Sequence, residues 1–402
     1  MRALLAHAYR SSPYFRREFD ACGIGPSTIH TLEDLREVPL LRRTTILQHF
    51  DELRAANADR FHPENGTTSG TSGAHLTFIR DRAALTIGNA ALSRFRGWHG
   101  FRSGERVAEI RGVPITPGEP DRRPAVFHQA TNILRLSPYR ILDERWGAEV
   151  AEELVRFRPQ AIRGMSTLLA HVSRFLLEHS EYEIRPRVVF TGGERVFPEQ
   201  RTLIAEAFRA PVVEGYANWE YALFAGECEH GRLHFATEMG ILEILDEGTP
   251  AVPGKPGVMA ITNLWNRAFP FIRYVIGDVG YLDGYACPCG RGLPAGRILG
   301  GRQKDLLVTS RGHIWVPLGF TAHPKWRRKI ESMRYYQEHR DEVLVQVVKG
   351  PAFVDGDLDV LRTELDRMLE GTLRCSFEFV DSLELTPSGK FRVVVSNVVP
   401  EN

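Results

Sequence analysis

Residues 161–220 read AIRGMSTLLAHVSRFLLEHSEYEIRPRVVFTGGERVFPEQRTLIAEAFRAPVVEGYANWE. Three short β-type runs (AIRGM, RVVFTGG, PVVEGY) alternate here with two amphipathic segments of helical length, STLLAHVSRFLLEHS and FPEQRTLIAEAF. That alternation predicts strand–helix–strand units and an α/β core with a largely parallel sheet. Upstream, RVAEIRG extends the strand series, and DRAALTIGNAALSRFRG and GAEVAEELVRF extend the helical one. The first 60 residues read as short helices, MRALLAHAYR, SPYFRREFDAC and TLEDLRE, the last with Thr31 as N-cap and Glu33 and Asp34 in its first turn. A strand-rich stretch at 233–282 is expected to be antiparallel. After about residue 304 the pattern becomes strand VLVQVVKG, helix DLDVLRTELDRMLEG, strand CSFEFVD and strand FRVVVSNVV. This is enough for a small α+β unit with its own core. The expected division is therefore 1–304 and 305–402, with the seam near GRQKDLLVTSRGH.

The 402-residue chain carries 51 Lys+Arg against 50 Asp+Glu and is 43% hydrophobic, the composition of an ordinary globular protein. A near-neutral balance removes the electrostatic reason to expect a nucleic-acid or anionic-membrane partner. No uninterrupted apolar stretch approaches the ~18 residues that a membrane span requires. The opening MRALLAHAYRSSPYF lacks the apolar run and cleavage site of a signal peptide, so a cytoplasmic location is expected. Five cysteines do not make a disulfide framework. Only six residues are lysine, all at position 255 or beyond, which gives each of them more weight as a candidate for chemistry.

Thr67-Thr68-Ser69-Gly70-Thr71-Ser72-Gly73 has a phosphate-cradling composition. Its glycines let backbone N–H groups approach an anion, and its hydroxyls add donors. It lacks the GK[ST] of a Walker loop, and taken alone it reads equally well as a flexible surface turn. Thr191-Gly192-Gly193-Glu194 follows a strand at its C-terminal end, where open α/β sheets bind ligands. Glu214-Gly215-Tyr216-Ala217-Asn218-Trp219-Glu220 follows the next strand and joins a stacking aromatic to a carboxylate suited to Mg²⁺. Arg273-Tyr274-Val275-Ile276-Gly277-Asp278 ends in a carboxylate able to hold two vicinal ribose hydroxyls, the plainer reading being a turn Asp. Thr386-Pro387-Ser388-Gly389-Lys390 places a lysine on a turn, where a merely solvated role is the plainer reading. Cys228, Cys287 and Cys289, with His230 or His234, make a complete tetrahedral zinc set; the alternative is three reduced thiols that are neighbours by chance.

The order SGTSG, GGE, YxxxE, RYxxGD, GRxxD and PSGK resembles the adenylate-forming superfamily of acyl-CoA synthetases, non-ribosomal adenylation domains and luciferases. Within it, the opening HAYRSSPYFRREFDACGI…TLEDLREVPLL, RYVIGD and CPCGR are similar to the phenylacetate–CoA ligase branch, and the resemblance spans essentially the whole chain. The resemblance implies an α/β fold: a large N-terminal adenylate-forming domain with mixed sheets flanked by helices, plus a small mobile α+β C-terminal lid. By position, Thr68, Ser69, Gly70, Thr71, Ser72 and Gly73 would wrap the phosphates of ATP. Gly193 and Glu194, with Glu214, Gly215 and Tyr216, would frame the adenine. Glu220 would ligate Mg²⁺, Asp278 would bind the ribose hydroxyls, and Arg302 would reach the ribose and phosphate side. Asp305 would be the hinge and Lys390 the catalytic lysine. Gly164, Met165, Gly192, Ala217, Asn218 and Trp219 would line the acyl pocket. A structural Zn²⁺ on Cys228, His234, Cys287 and Cys289 is implied too, with His230 as the alternative fourth ligand.

Three departures stand out. Gly73 is followed by Ala74-His75, so the phosphate loop lacks its usual lysine, Trp219 replaces a small hydroxyl residue, and Gln303-Lys304 stands between Arg302 and Asp305, which is tolerable. The implied activity is ATP-dependent activation of a carboxylic acid, expected to be aromatic, as an acyl-adenylate with release of pyrophosphate, followed by transfer to coenzyme A. Two readings compete with it: transfer to an amine, and a catalytically silent zinc-stapled binding protein on the same fold. The oligomeric state stays open between monomer and homodimer.

Overall fold

The computed structural model describes residues 1–68, 76–110, 115, 123–137, 147–246, 248–300, 306–310, 312–315, 326, 329–369, 371–384 and 393–398. The chain divides into two compact units, Met1–Arg102 with Gly215–Arg302, and Ser103–Glu214 with Gln303–Asn402.

The first unit begins with helices Arg2–Ser11 and Pro13–Ala21, separated by Ser12. Ser12 is extended, and its hydroxyl accepts from Phe15 N–H while Pro13 takes the first helical position, where a missing N–H costs nothing. The apolar stripes of these helices bury Leu4, Leu5, Phe15 and Phe19. The third expected helix, TLEDLRE, shortens to a 3-10 turn, Asp34–Glu37. Its capping chemistry survives, since Thr31 Oγ1 accepts from Asp34 N–H at 3.1 Å and Asp34 accepts from the N–H of His30 and Thr31 at 2.8 Å each. Pro39 ends the turn early by forcing Val38 into extended backbone.

The strand-rich stretch is antiparallel as expected. In hydrogen-bonded order it runs Thr249–Pro250, Gly240–Asp246, Gly257–Asn263, Tyr274–Leu282, Ala295–Gly300, Leu233–Phe235, Phe224–Glu227, and then the end of Val212–Ala217. The N-terminal segment is stitched to this sheet where Leu41 and Tyr274 form a parallel bridge. Buried Arg273 anchors the same junction, donating to the Glu243 carboxylate and to the Arg36 and Val38 carbonyls. Arg273 of the RYVIGD run is therefore a packing residue. A hairpin the sequence does not announce pairs Glu64–Thr68 with Leu76–Arg80 in register Thr68↔Leu76.

The second unit holds the parallel strands Val188–Gly192, Ala161–Gly164, Val107–Ile110 and Ile133–Leu136, in that order, with Ala125–His128 antiparallel at the edge. Helices Gly147–Phe157, Ser166–Glu178 and Pro198–Phe208 build a core around Ile162, Leu169, Val189, Ile204 and Phe208. Residues from 306 onward form a separate sheet ordered Arg374–Phe379, Glu342–Lys349, Ile330–Gln337, Val394–Ser396, antiparallel at its centre and parallel at both flanks. The first parallel flank needs a crossover, and helix Asp357–Met368 supplies it. That helix buries Leu361 and Leu365 in one cluster with Tyr335, Val345 and Val347.

Gly240 is one position where the antiparallel sheet tolerates no side chain. A Cβ there would lie 2.6 Å from the Ala222 carbonyl oxygen and 2.7 Å from that of Thr262. Gly240→Ala is therefore expected to cost about 1–3 kcal/mol, as overpacking against backbone does. Urea unfolding would show a lowered midpoint, and an unchanged midpoint would contradict the packing described.

Candidate nucleotide site and metal centre

Ser69, Gly70, Thr71, Ser72, Gly73, Arg302, Asp305 and Lys390 lie outside the described residues. Thr68 is the last residue of the first hairpin strand.

In the first unit, strand Tyr274–Leu282 breaks its own ladder. Its neighbour advances from Val258 to Ala260 while it runs from Val279 back to Val275, so extra residues bulge out of the pairing. Gly277 adopts φ +87° within the bulge, a conformation that glycine accepts without strain. Bulges re-aim side chains, and this one carries Asp278. The Tyr216 hydroxyl donates to Asp278 Oδ2, which joins the expected stacking aromatic to the expected ribose carboxylate. Tyr274, on the same strand, donates its hydroxyl to Glu220 Oε1 at 3.3 Å, and Glu220 is only 6% exposed. Sequence reading gave Tyr274 no role, because its partner Glu220 lies in a turn 54 residues away.

Between Tyr216 and Tyr274 in this network lies the turn at Asn218–Tyr221. Asn218 Oδ1 accepts from Ala222 N–H and Leu223 N–H at 3.1 and 2.9 Å, so this candidate pocket residue also organises the turn. Tyr221 takes a left-handed φ of +53°. Its ring packs where Gly88 leaves room, a Cβ at Gly88 falling 2.6 Å from the ring. The Trp219 indole is 56% exposed, and its carbonyl accepts from Arg80, a residue the sequence reading passed over. Ala217 is exposed at the strand end.

In the second unit, Gly193 (φ +81°) follows the strand end at Gly192 and lies against Met165. Glu194 accepts from Thr167 N–H at 3.2 Å and so serves the N-terminus of helix Ser166–Glu178. Gly164 is required for packing, since a Cβ would meet the Ile110 carbonyl at 2.9 Å. The strand ends thus bring Met165, Gly193 and Glu194 together. Glu214 and Gly215 are half-buried on strand Val212–Ala217.

The cysteines gather as a cluster. Ligand atoms of Cys228, His234, Cys287 and Cys289 all lie within 4.8 Å of one another. His230, the alternative fourth ligand, is exposed on the turn after Cys228 and outside this group, which corrects that option. The His234 ring donates from Nδ1 to the Leu293 carbonyl at 3.0 Å, leaving Nε2 turned toward Cys289 Sγ at 3.2 Å. That is the outer-shell arrangement that orients a metal-binding imidazole. Burial lowers the His234 pKa and so favours its neutral, ligating form. Burial also pushes the Cys287 thiol up to about 11, a cost that a bound cation would remove by deprotonating it. Arg291 stacks 4.6 Å over the Trp98 ring and pairs with Glu229 at 2.6 Å, while Arg232 pairs with Asp283 at 2.8 Å; both ion pairs tie the two cysteine-bearing loops together. Three cysteine sulfurs and one imidazole in a compact, mostly buried group suit a structural zinc, which would bind the sulfurs as thiolates.

A family model described as the CapK C-terminal domain matches residues 307–397. Protein CapK of Staphylococcus aureus is 23% identical over 377 residues, covering 92% of this chain and 81% of that protein. Phenylacetate-coenzyme A ligase of Thermus thermophilus is 24% identical over 337 residues, covering 77% of this chain and 70% of that protein. Among solved structures, 2-hydroxyisobutyryl-CoA ligase in the postadenylation state with R3-HIB-AMP aligns with a TM-score of 0.75 at 19% identity, over 98% of this chain and 88% of its own. Anthranilate CoA ligase AuaEII in complex with anthranoyl-AMP aligns with a TM-score of 0.57 at 14% identity, over 82% of this chain and 65% of its own. No described helix is long and apolar enough to cross a membrane. The chain carries the fold of the adenylate-forming CoA ligases, and in sequence it is a relative of phenylacetate-coenzyme A ligase and of CapK.

Proposed function

We propose that this chain activates a carboxylic acid with ATP, forming an acyl-adenylate and releasing pyrophosphate, and then transfers the acyl group to coenzyme A. The observation that carries this reading is the bulged strand holding Asp278 against the Tyr216 hydroxyl. One flat aromatic and one carboxylate, fixed to each other, match the base and the vicinal hydroxyls of a nucleoside. The aligned ligases bind adenylates of a short hydroxy acid and of an aryl acid; for this chain we favour an aromatic acid.

The reaction brings a carboxylate to the α-phosphorus of ATP while charge accumulates on the phosphoryl oxygens. Positioning and charge neutralisation are the main contributions that protein groups make to such a step. In this reading Asp278 and Tyr216 hold the nucleoside, and the glycine- and hydroxyl-rich composition of residues 69–73 would suit the phosphates. Glu220, a buried hard-oxygen donor whose one oxygen is oriented by Tyr274, would hold Mg²⁺, which neutralises phosphate charge when bound. Arg302 assists on the phosphate side. By the motif order, Lys390 would be the catalytic lysine and Asp305 the hinge. The Cys228–His234–Cys287–Cys289 group would hold one structural zinc that ties two loops of the antiparallel sheet.

Lys390→Ala is expected to slow acid-dependent pyrophosphate exchange by about 10²–10³-fold, the usual cost of removing one transition-state donor, while ATP still binds. Exchange at the wild-type rate would remove Lys390 from the mechanism. Exchange with none of a panel of aryl and short hydroxy acids, despite tight ATP binding, would favour the silent binding protein, and the mass of the acyl product formed with CoA or with amines identifies the acceptor. Elemental analysis is expected to find about one zinc per chain, retained in His230→Ala and lost in His234→Ala and Cys289→Ser along with thermal stability. A metal-free wild-type preparation of equal activity and melting temperature would contradict the zinc assignment.

A further inference from the structure

The phosphate loop has no lysine, since Gly73 is followed by Ala74-His75. The hairpin that carries the loop ends in a cation of its own, Arg80. Its guanidinium lies over the Phe78 ring at 5.9 Å and over the Tyr221 ring at 5.3 Å. Its one hydrogen bond among the described residues is a long one, from NH1 to the Trp219 carbonyl at 3.4 Å. Among the described residues its Nε is buried without a partner and Arg80 forms no ion pair. The neighbouring carboxylate is not available to it, because Asp81 accepts from Ala84 N–H with one oxygen and from Arg267 N–H with the other.

A second orphan donor belongs to the same turn. Asn218 Nδ2 is buried with no partner among the described residues. Its orientation is not interchangeable with that of the oxygen, because Oδ1 accepts two backbone N–H groups. Two unsatisfied donors, one of them charged, thus flank the Trp219–Glu220 peptide. Leaving buried donors unmade is costly, and a guanidinium with a fixed fork of N–H groups suits phosphate oxygens. The ring faces hold the cation before any ligand arrives, so little ordering is left for binding.

Resting on the ligase reading above, we propose that Arg80 binds the polyphosphate of ATP and substitutes for the lysine that the loop lacks. A phosphate is favoured over the carboxylate of the acid because Arg80 lies on the hairpin of the glycine-rich loop and touches the peptide next to Glu220.

The test is calorimetric titration of the full chain with ATP·Mg²⁺ and, separately, with adenosine. Arg80→Gln is expected to weaken ATP by tenfold or more and to leave adenosine unchanged, with Arg80→Lys recovering part of the loss. Should Arg80→Gln fail to fold by thermal melt, Arg80→Lys carries the test, with weaker ATP binding and unchanged adenosine binding expected. Equal ATP affinity in variant and wild type would overturn the proposal. So would a parallel loss of ATP and adenosine, which marks a purely structural arginine, or an effect confined to the KM of the acid. Wild-type protein that binds neither nucleotide nor nucleoside would instead overturn the ligase reading itself.

Discussion

An antiparallel strand with unbroken pairing commits each side chain to one face of the sheet or the other. The irregular register of Tyr274–Leu282 against Gly257–Asn263 relieves that constraint locally. The placement of Asp278 depends on it. The bulge presents Asp278 to the Tyr216 hydroxyl, and Tyr274, a few residues earlier on the same strand, reaches Glu220. The same strand is clamped from behind by Leu41 and by the Arg273–Glu243 pair, so the distortion is held in place by packing on ordinary strand positions. The glycine at 277 makes the backbone path possible, while Arg273 and Leu41 keep it from relaxing.

The cysteine cluster shows a second use of the same sheet. Cys228 follows strand Phe224–Glu227, His234 lies on the next strand, and Cys287 and Cys289 come from the loop after Leu282. The sheet brings these four ligands together without needing the loops to be long or ordered by themselves. The two ion pairs across the cluster and the Trp98–Arg291 stack then limit how far the loops can open.

Much of the architecture was legible before any coordinates because periodicity reports burial directly. The helices at 82–98, 147–157, 166–178 and 198–208 and the strands between them follow from apolar spacing. The zinc-type cluster was legible from ligand identity, and only the choice between His230 and His234 needed geometry. The hairpin at 64–80 was missed because its first strand, Glu64–Thr68, contains no large apolar residue, and because its pairing is fixed by a partner across the loop. TLEDLRE shortened because Pro39 acts on Val38, a constraint that outweighed the capping residues. Arg80 and Tyr274 were invisible for a different reason: their partners lie 139 and 54 residues away, and no local pattern marks them.

The assignment of Asp278 to a ribose is the claim on which the rest stands, and it has a direct measurement. Dissociation constants for ATP and for 2′,3′-dideoxy-ATP would be compared in wild type and in Asp278→Ala. A carboxylate that holds both hydroxyls predicts that wild type prefers ATP by about tenfold or more, the scale of a charge-assisted hydrogen bond, and that the preference vanishes in the variant. Equal affinity of wild type for the two nucleotides would contradict the account.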